Sequence, residues 1–226
     1  MVRMRRTIVV GDVHGQLQAL RGLLQSVDIS LNDQIVFVGD LIDRGPDGPG
    51  VVQLVADYCR ARMAVLVMGN HEYKAIRHRK NGTAVDGSDA AMLSQELVDF
   101  LAYDTVLHHS FVVGEQKYLA VHGGVSYGID VLPPPRMSDW RGGTLTGKEK
   151  RRAEGMLYVR SDDEEPWTDS YDGRFGIVLY GHSAARDFQI KEHSIGLDIG
   201  AGVGYGQLGA IVLEEGVAPR YVRQQI

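Results

Sequence analysis

Residues 7–15 read Thr-Ile-Val-Val-Gly-Asp-Val-His-Gly, a short apolar run that ends in a glycine, a carboxylate and an imidazole. The run Thr7–Val10 has the pattern of a buried strand. Gly11 lets the backbone turn sharply where the run ends and lets a ligand approach it closely. The stretch therefore predicts a strand that presents Asp12 and His14 at its carboxyl end.

The same arrangement recurs at four further apolar runs. These are Gln34–Val38, Ala64–Met68, Tyr118–Val121 and Ile177–Tyr180, which are followed by Asp40, Asn70, His122 and His182. Taken singly, such residues have ordinary explanations, since Asp after Gly is typical of turns and Asn70 could cap a helix. Five polar strand ends in one chain exceed what turn chemistry alone would produce. We therefore interpret them as one site.

Helical patterns separate the first three predicted strands. Apolar residues recur at helical spacing over residues 17–27 and 51–58, and a helix is expected after His71. A β-α-β-α-β order predicts a sheet with helices on its faces. A helix is also expected over residues 90–102, and a hairpin around Gly114-Glu115.

Further strands are predicted near the end of the chain, at Ile195–Ile199, Leu208–Leu213 and Arg220–Arg223. Because no helical pattern separates them, they favour a second sheet. The expected fold class is α/β, a β-sandwich flanked by helices, in a single domain over residues 1–226.

Composition limits the partners and the compartment. The net charge of −5 argues against a broad basic surface for nucleic acid. A lone cysteine, Cys59, excludes an internal disulfide framework. No apolar run reaches the roughly 18 residues of a membrane span, and the one after the basic residues 1–6 is too short for a signal peptide. We expect a cytoplasmic protein without a membrane partner; the oligomeric state stays open.

The polar strand ends supply three imidazoles, two carboxylates and one carboxamide: Asp12, His14, Asp40, Asn70, His122 and His182. In open α/β sheets the carboxyl ends of the strands line the ligand crevice. A nitrogen and oxygen set without thiolate suits Mn²⁺, Fe or Zn²⁺. Six ligands suffice for two ions if one carboxylate bridges them, and two ions can clamp a phosphoryl group. We expect two divalent ions, with Mn²⁺ first.

The motifs around these residues resemble those of the calcineurin-like metallophosphoesterases. They are Gly11-Asp12-Val13-His14-Gly15, Gly39-Asp40-Leu41-Ile42-Asp43-Arg44-Gly45, Gly69-Asn70-His71-Glu72, His122-Gly123-Gly124 and Gly181-His182. The Asp-Arg-Gly of the second motif resembles the phosphoprotein phosphatase branch, which holds serine/threonine phosphatases and symmetrical diadenosine tetraphosphate hydrolases. The resemblance runs from Ile8 to Leu213.

The resemblance implies a role for each ligand. Asp12 and His14 would hold the first ion, and Asp40 would bridge both. The second ion would be held by Asn70, His122 and His182, and Asn70 could also touch the substrate phosphate. Hydrolysis would proceed by attack of a water held between the ions.

The remaining roles implied by the resemblance concern the substrate. His71 would protonate the leaving group, with Asp43 orienting its ring, and Arg44 would bind the phosphoryl oxygens. The second phosphate-binding arginine of the family is expected at Arg160, with Arg136, Arg141 and Arg174 as alternatives. Ile199 stands where the family usually shows threonine.

The first expectation for the substrate is a phosphorylated protein, cleaved by a serine/threonine phosphatase, or a small phosphoester. The compact chain and Glu72 favour it over the alternative, a diadenosine tetraphosphate hydrolase. Another phosphomonoester, such as a nucleotide or an RNA end, is a further option. An inactive binding scaffold is disfavoured, because all six ligands and His71 are present. The residues that choose the substrate are expected in Lys80–Asp89 and Gly128–Glu165.

Overall fold

The structure, a computed structural model, describes residues 6–126, 129–136, 147–162, 164–203 and 206–226. Residues Gly128 and Arg141, which figure in the expectations above, lie outside these ranges. The described strands are β1 Thr7–Val10, β2 Gln34–Phe37, β3 Ala64–Leu66, β4 His108–Val113, β5 Gln116–Val121, β6 Ile177–Tyr180, β7 Gln189–Ile190, β8 Ser194–Gly196, β9 Gln207–Glu214 and β10 Val217–Gln225. The described helices are α1 Leu17–Ser26, α2 Gly48–Arg60, α3 Asn70–Asn81, α4 Asp89–Met92, α5 Gln95–Tyr103, α6 Gly147–Tyr158 and α7 Trp167–Ser170.

The strands form two five-stranded mixed sheets. The first has the order β10-β9-β1-β2-β3 and the second the order β4-β5-β6-β8-β7. Strands β1, β2 and β3 are parallel to one another, as are β5, β6 and β8. Each sheet therefore brings the carboxyl ends of three neighbouring strands to one edge. The polar motifs of the sequence lie at these strand ends.

Alternate residues of the strands enter two different cores. In β1, Ile8 and Val10 pack in the cluster that includes the helices, whereas Val9 packs in the cluster between the sheets. In β5, Leu119 and Tyr118 divide in the same way. Because successive side chains of a strand point to opposite faces, this alternation requires an apolar layer on both faces of each sheet. The sheets thus pack face to face with helices outside, which confirms the predicted α/β sandwich.

The last two strands correct one expectation. We expected the late strands to build the second sheet, but β9 and β10 belong to the first. β9 pairs antiparallel with β1, from Thr7 opposite Leu213 to Val10 opposite Ala210. The strand pattern of β9 is visible in the sequence, but its partner is chosen by the long-range packing of the two sheets. The single helix expected over residues 90–102 is two helices: α4 ends at Met92, and Ser94 caps α5 by accepting a hydrogen bond from Leu97 N at 3.3 Å.

Helix α3 starts directly at the edge of the first sheet. Its N-cap is Gly69, which follows β3, and the Glu72 side chain accepts a hydrogen bond from Gly69 N at 3.1 Å. The helix ends at Gly82, whose φ of 66° is the left-handed conformation of a helix C-terminus. His71 therefore sits in the first turn of a helix that leads away from the sheet edge.

In the described part of the chain, no helix combines the length and the apolar character that crossing a bilayer requires. The cytoplasmic location expected from the composition stays a prediction.

Candidate metal centre

The backbone at the sheet edges adopts unusual conformations. Of the seven described non-glycine residues with positive φ, five are predicted site residues: His14, Asp40, Asp43, Arg44 and His182. Such φ values are rare outside glycine and persist where the surrounding structure imposes them. The strand ends therefore aim these side chains in directions that ordinary turns would not give.

Glycines allow the strand ends to approach one another. Gly39 has a φ of 101°, and a Cβ atom there would lie 2.6 Å from the Cα of Gly69. A Cβ atom on Gly181 would lie 1.9 Å from the Oδ1 of Asp12, in the opposite sheet. These two contacts explain why a glycine precedes the polar residue at these edges.

Two histidines are oriented for metal binding by backbone carbonyls. The Nδ1 of His14 donates to Ile42 O and the Nδ1 of His122 donates to Val38 O, both at 2.9 Å. Since a carbonyl only accepts, each ring carries its proton on Nδ1 and presents the lone pair of Nε2. This second hydrogen bond is the usual device that fixes a metal-binding imidazole. The bond to Val38 also joins the second sheet to the first.

Two groups of ligand atoms share Asp40. One consists of His14, Asp40 and His71, and the other of Asp40, His122 and His182. Within each group the ligand atoms lie within 4.8 Å of one another. This places Asp40, which is 2% exposed, between two positions that could each hold an ion.

Asn70 belongs to the second group. Its Oδ1 lies 2.9 Å from His122 Nε2 and 3.0 Å from His182 Nδ1, and His122 Nε2 is 3.4 Å from Asp40 Oδ1. Oxygen and nitrogen lone pairs thus converge here, which is the donor arrangement of a cation site. Burial, and then the neighbouring His122, lower the pKa of His182 to about 4, and burial lowers the pKa of His14 to about 4, so both rings are neutral.

Several buried carboxylates crowd together at the centre. Burial, and then the charges of Asp198 and Asp40, raise the pKa of Asp12 well above its usual range. Its Oδ2 accepts from His182 N at 3.0 Å, but its Oδ1 is buried without a partner in the described structure. The only described ion-pair partners of Asp12 and Asp40 are histidines. A buried cluster of this kind fits divalent cations, which would supply the missing positive charge.

His71 and Asp43 form a hydrogen-bonded pair at the rim. The Nδ1 of His71 donates to Asp43 Oδ2 at 2.5 Å, and its Nε2 lies 3.8 Å from Asp40 Oδ2. Burial alone would lower the pKa of His71, but the bond to Asp43 and the charge of Asp40 raise it. The ring therefore directs Nε2 towards the centre and is stabilised in its protonated form.

The predicted phosphate-binding arginines lie on two sides of the centre. The side chain of Arg44 passes over Gly202 beside the His14 ring. Arg160 makes two hydrogen bonds to Asp162, at 2.7 and 2.8 Å, and its charge adds to the causes that lower the pKa of His182. Arg174 instead pairs with Asp130 and Asp172, and Arg136 forms a backbone bridge with Val106. This placement favours Arg160 among the described alternatives.

Two further acidic residues, Glu72 and Asp198, are buried beside the centre. The sequence interpretation gave neither of them a structural role there. The fully buried carboxylate of Glu72 accepts from the backbone N–H groups of Gly69, Asp40, Leu41 and Ile42 at 2.8–3.3 Å. Asp198 follows β8, is 5% exposed and lies beside Asp12. The sequence shows that each of these acidic residues stands close after a predicted strand. It does not show that their carboxylates are buried, and burial is what gives them a structural role.

We expect Glu72→Gln to destabilise the fold by about 2–4 kcal/mol, because an amide NH₂ would face backbone donors that a carboxylate satisfies. Urea unfolding of the metal-stripped protein would measure this loss. Glu96→Gln is the matched control: its carboxylate is exposed on α5 and pairs with Arg60, so the change should stay within about 0.5 kcal/mol. Equal stabilities of the two variants would contradict a structural role for Glu72.

Comparison with known proteins agrees with this geometry. Residues 5–196 match the family of calcineurin-like phosphoesterases. A relative from Halalkalibacterium halodurans, named bis(5'-nucleosyl)-tetraphosphatase PrpE [asymmetrical], is 30% identical, over 92% of this chain and 89% of its own length. A relative of the same name from Oceanobacillus iheyensis is 28% identical, and the alignment covers 85% of this chain and 82% of that relative. A crystal structure provisionally assigned as a diadenosine tetraphosphatase superposes with a TM-score of 0.68 at 25% identity, covering 96% of this chain and 93% of that one.

These matches cover most of the chain and include the strands whose ends build the centre. They agree with the motifs at the sheet edges and with the two ligand groups around Asp40. The chain is therefore a member of the calcineurin-like metallophosphoesterase family, and it is a hydrolase of phosphate esters.

Proposed function

We propose that the protein hydrolyses dinucleoside tetraphosphates such as diadenosine tetraphosphate, and that it cleaves them asymmetrically. The observation that carries this proposal is that relatives aligned over 85–92% of the chain bear the name bis(5'-nucleosyl)-tetraphosphatase [asymmetrical]. This substrate is the alternative of the sequence interpretation, with cleavage at a different position from the symmetrical type considered there.

Both arguments that favoured a serine/threonine phosphatase lose weight. Chain length does not separate the two functions, because the alignments cover 82% and 89% of the tetraphosphatase relatives. Glu72 does not separate them either, since it binds backbone N–H groups beneath the centre rather than facing the substrate. A phosphoprotein substrate is therefore the less supported reading.

The proposed ligand roles follow the sequence motifs and the position of Asp40 in both ligand groups. Asp12, His14 and Asp40 would hold one divalent ion, and Asp40, Asn70, His122 and His182 the other. When bound, such ions lower the pKa of water and neutralise charge at phosphorus. Mn²⁺ is proposed as the metal, because three imidazoles suit a transition metal better than Mg²⁺ or Ca²⁺.

The side chains at the rim would act on the substrate. Arg44 and Arg160 would bind the phosphoryl oxygens, where a guanidinium can make two parallel hydrogen bonds. His71, oriented by Asp43, would donate a proton or a hydrogen bond to the leaving oxygen. Asn70 could also touch the phosphate from the floor of the site.

The proposed reaction balances as the addition of one water. A P–O bond forms between the water oxygen and the α-phosphorus of one nucleotide, and the bond from that phosphorus to the bridging oxygen breaks. The products are a nucleoside monophosphate and a nucleoside triphosphate. The bridging oxygen leaves with the triphosphate, either as the anion or with the proton of His71.

One observation keeps phosphomonoesters as a second candidate. The His71–Asp43 pair is built to deliver a proton, and an alkoxide such as that of serine needs one more than a phosphate leaving group does. The complete ligand set argues against an inactive scaffold.

The substrate is tested by direct competition between diadenosine tetraphosphate and a phosphoserine peptide. We expect the tetraphosphate to show the larger kcat/KM and to give AMP and ATP. ADP as the sole product would mean symmetrical cleavage, and a larger kcat/KM for the peptide would restore the phosphatase assignment.

We expect chelation to abolish activity and Mn²⁺ to restore it further than Ca²⁺. Imidazole nitrogens bind Mn²⁺, whereas Ca²⁺ prefers sites made entirely of oxygen. The measurement is turnover of p-nitrophenyl phosphate after chelation, desalting and addition of each ion. Full turnover by protein that analysis shows to be metal-free would contradict the two-ion centre.

A further inference from the structure

A pocket of about 200 Å³ opens beside Asp43, next to the metal centre. One wall is helix α3, with Lys74 and His78, and the other is the turn that joins α3 to α4, with Thr83 and Ser88. The pocket thus begins at the residue that orients His71. The wall that contains Thr83 and Ser88 belongs to Lys80–Asp89, one of the segments expected to select the substrate.

Helical geometry aligns this pocket with the proton donor. His71, Lys74 and His78 occupy positions i, i+3 and i+7, so they lie on one face of α3. With a rise of 1.5 Å per residue, Lys74 and His78 are displaced from His71 by about 4.5 Å and about 10 Å along the helix axis. A chain that leaves the centre at His71 would therefore pass Lys74 first and His78 next.

The charges of this face favour an anion. No described carboxylate lies within ion-pair distance of Lys74. The carboxylate of Asp43, the acidic group of the lining, is occupied by His71 at 2.5 Å. His78 bonds through Nδ1 to Thr83 Oγ1 at 3.0 Å, so Nε2 is the ring nitrogen that remains for a ligand. The pocket consequently offers an ammonium, an imidazole and hydroxyl groups, and the carboxylate in its lining, Asp43, is already paired with His71.

We propose that this pocket binds the phosphate chain of the leaving nucleotide, with Lys74 as its cationic contact and His78 as a hydrogen-bonding contact. The inference rests on the proposed function: asymmetrical cleavage makes the leaving group a nucleoside triphosphate, and His71 places that group on the side of Asp43. The chain, and not the whole nucleotide, enters the pocket, because 200 Å³ is below the range of about 300–1,000 Å³ of complete small-molecule sites. The leaving serine of a phosphoprotein carries no such chain.

The test is inhibition of p-nitrophenyl phosphate turnover by ATP, which mimics the leaving product, at a fixed concentration of free Mn²⁺ because ATP itself binds the metal. The apparent inhibition constant of ATP should rise on the order of tenfold in Lys74→Gln, the value of one charge-assisted hydrogen bond. Lys80→Gln is the matched control, since Lys80 is nine residues from His71 and therefore on the opposite face of α3. AMP, which lacks the chain, should inhibit the wild type and Lys74→Gln alike.

Each result decides the inference separately from the proposed function. Absence of ATP inhibition in the wild type, or equal shifts in Lys74→Gln and Lys80→Gln, would overturn the pocket. If ATP inhibition depends on Lys74 but the wild type does not cleave diadenosine tetraphosphate, the pocket stands and the proposed substrate fails. If both hold, the ratio of kcat/KM for diadenosine tetraphosphate to that for p-nitrophenyl phosphate should fall on the order of tenfold in Lys74→Gln.

Discussion

His71→Asn is expected to leave two metal ions bound and to slow the hydrolysis of esters with poor leaving groups by on the order of 10²–10⁴-fold, the usual value of general acid catalysis. The backbone N–H of His71 donates to Asp40 Oδ1 at 3.0 Å, a contact that the variant keeps. Only the ring held by Asp43 is lost. The measurement is kcat for a phosphoserine peptide and for p-nitrophenyl phosphate, with metal content determined on the same samples.

Comparing substrates with good and poor leaving groups distinguishes a loss of proton donation from a general loss of activity. A nitrophenolate leaves without a proton, so p-nitrophenyl phosphate should suffer less than the peptide, and Asp43→Asn should show a milder form of the same difference. His193→Asn, which replaces a partly exposed histidine beside Glu192, is the control and should change neither rate. Equal losses on both substrates at full metal occupancy would count against His71 as the acid. Because His71 also lies within ligand distance of His14 and Asp40, loss of metal would make it a ligand.

Asp40→Asn is expected to be the most damaging single change at the centre, with more than one equivalent of metal lost. Asp40 belongs to both ligand groups, so removal of its charge weakens both positions at once. The effect on metal affinity should exceed the 10–100-fold typical of residues that only support a ligand. Activity at limiting Mn²⁺ should fall to that of the metal-stripped enzyme.

The Asp40→Asn substitution is expected to preserve the local backbone conformation and its hydrogen bond. Asn tolerates the φ of 49° at position 40, and its side-chain oxygen can still accept from His71 N. Asp33→Asn is the matched control, since Asp33 is also a buried aspartate but pairs with Arg6 rather than with the centre. Elemental analysis of both folded variants should find two ions in Asp33→Asn only. Tight binding of two ions by Asp40→Asn would show that Asp40 is not the bridge.

The local part of the fold was predictable because it depends on neighbouring residues. The apolar runs predicted β1, β2, β5 and β6 to within two residues of their observed bounds, and the residues after them were expected at the sheet edge. Parallel strands joined by helices place their carboxyl ends together, so the convergence of Asp12, Asp40 and Asn70 follows from the order of elements.

The partners of the last strands could not be predicted in the same way. The patterns of β9 and β10 indicated strands, yet β9 pairs with β1 and β10 pairs with β9, so both extend the first sheet rather than the second. An apolar strand can satisfy its hydrogen bonds at either sheet. Only the packing of both sheets against the shared core decides between them.

The sequence by itself determined the candidate ligands, the glycines beside them and the chemistry that such a set can support, because these depend on residue type and on position after a strand. Tertiary structure alone decided how the two sheets meet. The bond from His182 N to Asp12 joins residues 170 positions apart. The burial of Glu72 and the pocket beside Lys74 belong to the same class. The reason is physical: a turn is set by a few adjacent residues, whereas burial and charge pairing exist only once distant segments have packed.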